Sequence, residues 1–333
     1  METSLGDTKR AHSVSPGFAN IPNELLSPMI RHSGIFFAVL LVLFFACRQY
    51  VFEAALNNGL IYKRTWPNLS PRQKRGFVNH HLSFVAKIFV LLFAIYPFFA
   101  VALGHADFNT PYFGHRSSVS FSRHSDGFTM GDALYLAIMI VSVMYAHELS
   151  YREGISPVAV AHHVGVLVMG QLTLYWSASN KHEPDAALEC VLALFWGFYD
   201  LVVEVPPHVT MIMYRNPDVT RSKLLRSFSI AFWCSLIGTV AETATIFGLY
   251  GALWHKWTVT MKVMIPILHC IFTAAQLWGE KCTWQIWQQE KRKSKRTQED
   301  AEKHVNRDES LAGKSKGQPD ASVRDVDILE TTL

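Results

Sequence analysis

The sequence predicts an all-α, polytopic membrane protein with about seven transmembrane helices, and three observations carry that expectation. Half of the 333 residues are apolar and only 17% are charged. The mean hydropathy is above zero, at +0.13. The apolar residues are concentrated in the middle of the chain, between two polar ends. A soluble core does not need repeated runs of about twenty apolar residues, whereas a helix crossing about 30 Å of hydrocarbon does.

Residues 1–33 read as a polar, flexible N-terminal tail, because they lack the basic, apolar and small-residue succession of a secretory signal. Seven apolar runs follow, at 34–55, 82–104, 131–148, 157–176, 187–213, 228–252 and 258–279. The first, within the segment 34–56, is the weakest: its unbroken part ends at Cys47 and is followed by Arg48 and Glu53, which leaves six spans as the alternative. Residues 75–285 form one membrane domain in this reading. From 286 to 333 the chain turns polar through EKRKSKRTQED and is expected to be a charged, disordered tail, closing on a Thr-Thr-Leu that resembles a PDZ-binding end.

Orientation follows from the excess of Lys and Arg that cytosolic loops carry. The segments 57–77, the turn at 152, the loop 214–226 and the start of the C-terminal tail together hold sixteen. The N-terminal tail and the loops 105–128, 177–186 and 253–257 hold seven. Seven spans therefore place the N-terminus in the lumen and the C-terminus in the cytosol. The sequon Asn68-Leu69-Ser70 then faces the cytosol and stays unmodified.

Composition also excludes function classes. The five cysteines are odd in number and mostly lie in or beside apolar runs, so neither a disulfide framework nor a zinc motif is implied. A net charge of +4 without a basic patch argues against a nucleic-acid partner. The chain has no HExxH, no GxSxG, no P-loop and none of the histidine boxes that hold a membrane diiron centre. No internal repeat of the kind that builds transporters is visible.

Ionisable side chains inside a bilayer cost a few kcal/mol each on insertion scales, so each demands a reason. They cluster: His147 and Glu148 end the third run, His162 and His163 sit in the fourth, and Asp200, Glu204 and His208 recur every four residues in the fifth, on one helical face. At about 1.5 Å of rise per residue, the histidine pair and the acidic stripe lie at overlapping depths from the cytosolic side. They are expected to converge on one intramembrane cavity, with Pro206-Pro207 kinking the fifth helix beside it. Interhelical hydrogen bonds of roughly 0.6–2 kcal/mol each are the structural alternative. Glu242 and His269 suit only that alternative, the His80-His81 pair reads as solvated, and Arg48 and Lys87 as able to snorkel.

The run Tyr145-Ala-His-Glu-Leu-Ser-Tyr-Arg152, then Pro157, His162-His163, Tyr199-Asp200 and Glu204-Val-Pro-Pro207, in that order on consecutive spans, resembles the TLC domain. Ceramide synthases and the translocon-associated TRAM proteins share that domain. The resemblance implies an endoplasmic reticulum protein whose six core helices form a barrel-like bundle around a lipid-sized cavity. In the ceramide synthase branch it further implies transfer of an acyl group from acyl-CoA, as co-substrate, to a sphingoid base. His162 and His163 would be base or acyl acceptor and Asp200 and Glu204 their carboxylates, with His147, Glu148, Arg152 and His208 lining the substrate site. No metal or resident cofactor is implied.

The chain departs from that branch at three places. Val166 stands where a threonine is usual, and Trp196 and Gly197 stand at the first two positions of the branch's His-Asp-x-x-Asp-x-x-x-Glu pattern. Two readings stay open: an acyltransferase, or a TLC protein that binds membrane lipids or regulates their composition without this transfer. The sequence also leaves the oligomeric state open, a homo-oligomer included.

Overall fold

The computed structural model describes residues 24–113, 127–179 and 186–311, with side chains described to 303 in the last helix. The N-terminal tail up to 23 and the Thr-Thr-Leu end lie outside the described residues. Among the described residues, seven helices are long and apolar enough to cross a membrane: α1 (Pro28–Asn57), α2 (Pro71–Ala102), α3 (Met130–Tyr151), α4 (Pro157–Ala178), α5 (Ala186–Arg215), α6 (Arg221–Ala252) and α7 (Val259–Leu311).

Local sequence sets the helix starts. Ser70 accepts from the backbone of Gln73, whose side chain answers in return, and Pro71 supplies the fixed first turn of α2. Thr129 and Asp132 form the same reciprocal cap on α3. Ser156 caps α4 ahead of Pro157. Because a cap acts in the polar interface, α2 begins at Pro71 rather than near 82, where the apolar run starts. α7 likewise stays helical to Leu311, so disorder does not set in at 286. Arg221 and Lys293 bind Glu290 there, and the Lys291 ammonium lies 3.7 Å from the Trp287 ring centre.

The charges that weakened the first span are answered inside it. Arg48 lies 3.8 Å from Glu53 and over the Tyr151 ring, and the chain passes them as a π-helical stretch from Cys47 to Glu53. Residues 24–33 are also more ordered than a flexible tail. The Leu26 amide donates to Ser177 at 2.7 Å, Ser27 donates to Asp132 at 2.6 Å, and Leu26 is buried against the ends of α3 and α4.

Packing places α2, α3, α4, α7, α6 and α5 next to one another in a closed circuit, with α4 also touching α5, while α1 packs outside on α3. In α3 72% of the most apolar window is buried, against none in α1, so α3 is a core helix and α1 is peripheral. The remaining apolar side chains, Leu92, Ile237 and Ile271 among them, point outward, as lipid-facing residues must.

Helical prolines free the carbonyl four residues earlier, and no water is at hand to satisfy it. Three of these carbonyls find a hydroxyl from a neighbouring segment. Tyr112 donates to Phe93 O beneath Pro97, Tyr250 to Lys262 O beneath Pro266, and Ser235 to Val203 O beneath Pro207. The loops gather on two opposite faces. Arg64 with Asp218, Thr65 with Asn216, and Arg75 with Glu153 join the three short basic segments on one of them.

Candidate functional site

Four helices bring the polar groups together toward the basic face. α3 contributes Tyr145 and Glu148 from its last turns, and Arg152 as its C-cap. α4, started by Ser156 and Pro157, carries His162 and His163 a turn and a half in. α5 contributes Asp200, Glu204 and His208 from one face, and α2 contributes His80 and Lys87, two turns apart.

His162 Nε2 lies 3.3 Å from Asp200 Oδ1 and 3.6 Å from Glu204 Oε1. The outer oxygens of the same carboxylates are taken by other donors. Tyr145 donates to Asp200 Oδ2 at 2.5 Å and lies 3.1 Å from Glu204 Oε2, which the Lys87 ammonium also contacts. His163 stacks on the Tyr145 ring and points Nε2 at Glu148 Oε1, 3.6 Å away, while Arg152 binds that oxygen at 2.8 Å. His208 approaches Glu204 to 4.0 Å and shares a 3.0 Å Nδ1–Nδ1 contact with His80. The Nδ1 atoms of His162 and His163 are buried without a hydrogen-bond partner.

Two cavities meet at this cluster. An apolar one lies among Val90, Phe98, Leu134, Met169, Phe198 and Phe272, and a more polar one is lined by Glu148, Arg152, Ser156, His163, Glu204 and His208. His162, Asp200 and Gln276 line both. The arrangement suits an amphiphile: a chain in one chamber, polar groups in the other, and the carboxylate-held imidazole at the junction.

Seven of the eight expected site residues converge; His147 does not. Adjacent residues on a helix point about 100° apart. With Glu148 aimed at His163, His147 is turned toward α1, its ring 4.9 Å from that of Phe45. Two further members, Lys87 and His80, differ from the sequence reading. Lys87 is fully buried and bound to Glu204 rather than snorkelling, because its helix turns that face inward. His80 is 5% exposed and paired with His208, not solvated. Glu242 ties α6 to α7 through Gln276 at 2.8 Å, as its sequence position suggests, and it also lines the apolar cavity. The heptad spacing of His80 and Lys87, matching the i, i+4, i+8 stripe on α5, was the available signal.

His162, Asp200 and Glu204 also bring three ligand-type atoms within 4.8 Å of one another, close enough to share one ion. The Lys87 ammonium already neutralises Glu204 there and would repel a second cation. Comparison with models of protein families, with curated proteins and with solved structures finds no match for this chain.

Proposed function

We propose that the chain is a TLC-type protein of the endoplasmic reticulum membrane that acts on lipids, transferring an acyl group from acyl-CoA to a sphingoid base inside the bundle. The observation that carries the reading is the orientation of His162 at the junction of the two cavities. Its Nε2 is held by Asp200 and Glu204, which favours the tautomer with the proton on Nε2 and leaves Nδ1 a free lone pair. Such a nitrogen can accept a proton from an attacking amine. The amine nitrogen then forms the C–N bond to the thioester carbonyl carbon, the C–S bond breaks, and the proton held on Nδ1 passes to the departing thiolate. The two carboxylates stabilise the imidazolium formed in between, and Lys87 and Tyr145 fix the carboxylates. The polyanionic CoA would stay at the basic face, which in this reading is cytosolic, near Arg152.

A second reading, lipid binding or regulation without transfer, has its own support. At the two positions where the synthase pattern carries a histidine and an aspartate, Trp196 is bound to His269 at 3.1 Å and has become a packing residue, and a Cβ on Gly197 would meet no atom within 4 Å. The missing carboxylate is replaced by open space.

The test is a microsomal assay with a sphingoid base and a panel of acyl-CoAs, beside a His162→Ala/His163→Ala double variant that inserts normally. Amide product that falls at least about a hundredfold in the variant is the expected result, the typical contribution of a general base. No product from well-folded wild-type protein across the panel moves the assignment to lipid binding.

A further inference from the structure

Three of the acidic side chains around the two cavities have a titratable or basic partner. Arg152 binds Glu148, Lys87 binds Glu204, and Asp200 faces His162. Glu280 on α7, at the polar cavity, accepts from the Thr239 hydroxyl at 2.9 Å, and Glu242 on α6 is the acidic group of the apolar cavity without a charged partner. It is 2% exposed, and its hydrogen bond among the described residues comes from a neutral amide, Gln276 Nε2 on α7, at 2.8 Å. The other end of that amide, Gln276 Oε1, is buried with no partner. Glu242 and Gln276 both line the apolar cavity, as do His162 and Asp200.

An amide oxygen only accepts hydrogen bonds. A chamber lined mainly by apolar side chains therefore holds a buried acceptor, Gln276 Oε1, that is unanswered. Nothing apolar can satisfy it, and a ligand head that only accepts, such as an ether, leaves it unanswered.

We propose that Glu242 and Gln276 form a recognition site for the head of a single-chain lipid that donates hydrogen bonds through a hydroxyl or an ammonium group, with its chain lying in the apolar cavity. The proposal rests on the reading that this cavity holds lipid. It assigns α6 and α7, which carry no other member of the His162 cluster, the task of selecting the head that reaches the junction. Sites built to pair a ligand's hydroxyl or amine reject the analogue lacking it strongly, because their own buried groups are then left unpaired. A discrimination of about tenfold or more is expected.

The purified full-length protein in nanodiscs is titrated with octadecanol, octadecylamine and methyl octadecyl ether, each competing with a photoactivatable long-chain probe. Wild type is expected to bind the alcohol or the amine at least about tenfold better than the ether. Glu242→Leu and Gln276→Leu are expected to erase that preference while leaving ether binding unchanged. Glu242→Gln has the same shape and is the deciding variant if the leucine variants do not fold. A selective loss of amine binding in it identifies an ammonium as the natural head, and an equal loss of both identifies a hydroxyl. Preference unchanged in a folded Glu242→Gln or leucine variant overturns the proposal and leaves the pair as a clamp between α6 and α7. A wild-type protein that binds none of the three probes overturns the lipid-cavity reading itself.

Discussion

Lys87 shows how one side chain couples stability to the site. A fully buried ammonium is tolerable only because Glu204 and Tyr145 surround it, and Glu204 in turn orients His162. Removing one partner of a buried pair leaves the other charge uncompensated, which costs about 3–5 kcal/mol, whereas replacing both by apolar groups is often near neutral. Lys87→Met is therefore expected to lower the melting temperature of the purified protein sharply, and Lys87→Met/Glu204→Met to recover most of the loss. Equal, additive losses from the two changes would show that the pair is not a stabilising unit. His80 belongs to the same network through His208, so its identity matters although its sequence neighbours suggested an interfacial position.

At the scale of the helix, the prolines are the informative residues. Pro97, Pro207 and Pro266 each free a carbonyl, and a hydroxyl from a different segment answers it. Such bonds fasten one helix to the next at the point where each is weakest. Tyr250→Phe is expected to destabilise the protein by about 1 kcal/mol or somewhat more, the usual cost of an unsatisfied buried acceptor. In a Pro266→Ala background residue 266 has its own N–H for Lys262 O, and the same change is expected to cost less than half as much. A double-mutant cycle on thermal unfolding reads the difference. A cost that is the same in both backgrounds would mean that the tyrosine acts through packing alone.

At the scale of the whole molecule, the circuit of six helices leaves a space that no pair of helices contains, and the polar cluster sits where its two chambers meet. The three basic segments on one face predict the side of the membrane. Asn68 is expected to remain unglycosylated in microsomes, while Ser118→Asn, which creates an acceptor sequence in the loop after α2, gains an endoglycosidase-sensitive glycan. A glycan on Asn68 instead would invert the assigned orientation. It would also put the site at the lumenal end, where acyl-CoA does not reach it.

The sequence by itself determined that the chain is helical and that it has seven apolar segments, and it placed the His162-His163 pair and the stripe of Asp200, Glu204 and His208 at overlapping depths. Hydropathy and a rise of about 1.5 Å per residue are local properties, and local properties are legible one segment at a time. It also placed Glu148 and Arg152 near them, because all are anchored by position along their own helices. Only the tertiary structure decided which way each helix is rotated. Rotation turned Lys87, His80 and Glu242 inward and His147 outward, and it depends on the neighbours each helix meets, which amphipathic periodicity does not specify in a helix that is apolar nearly all round. The helix ends were misjudged for a related reason. Caps and interfacial salt bridges act in the polar zone, where hydropathy gives no signal, and so α2 starts at Pro71 and α7 runs on to Leu311.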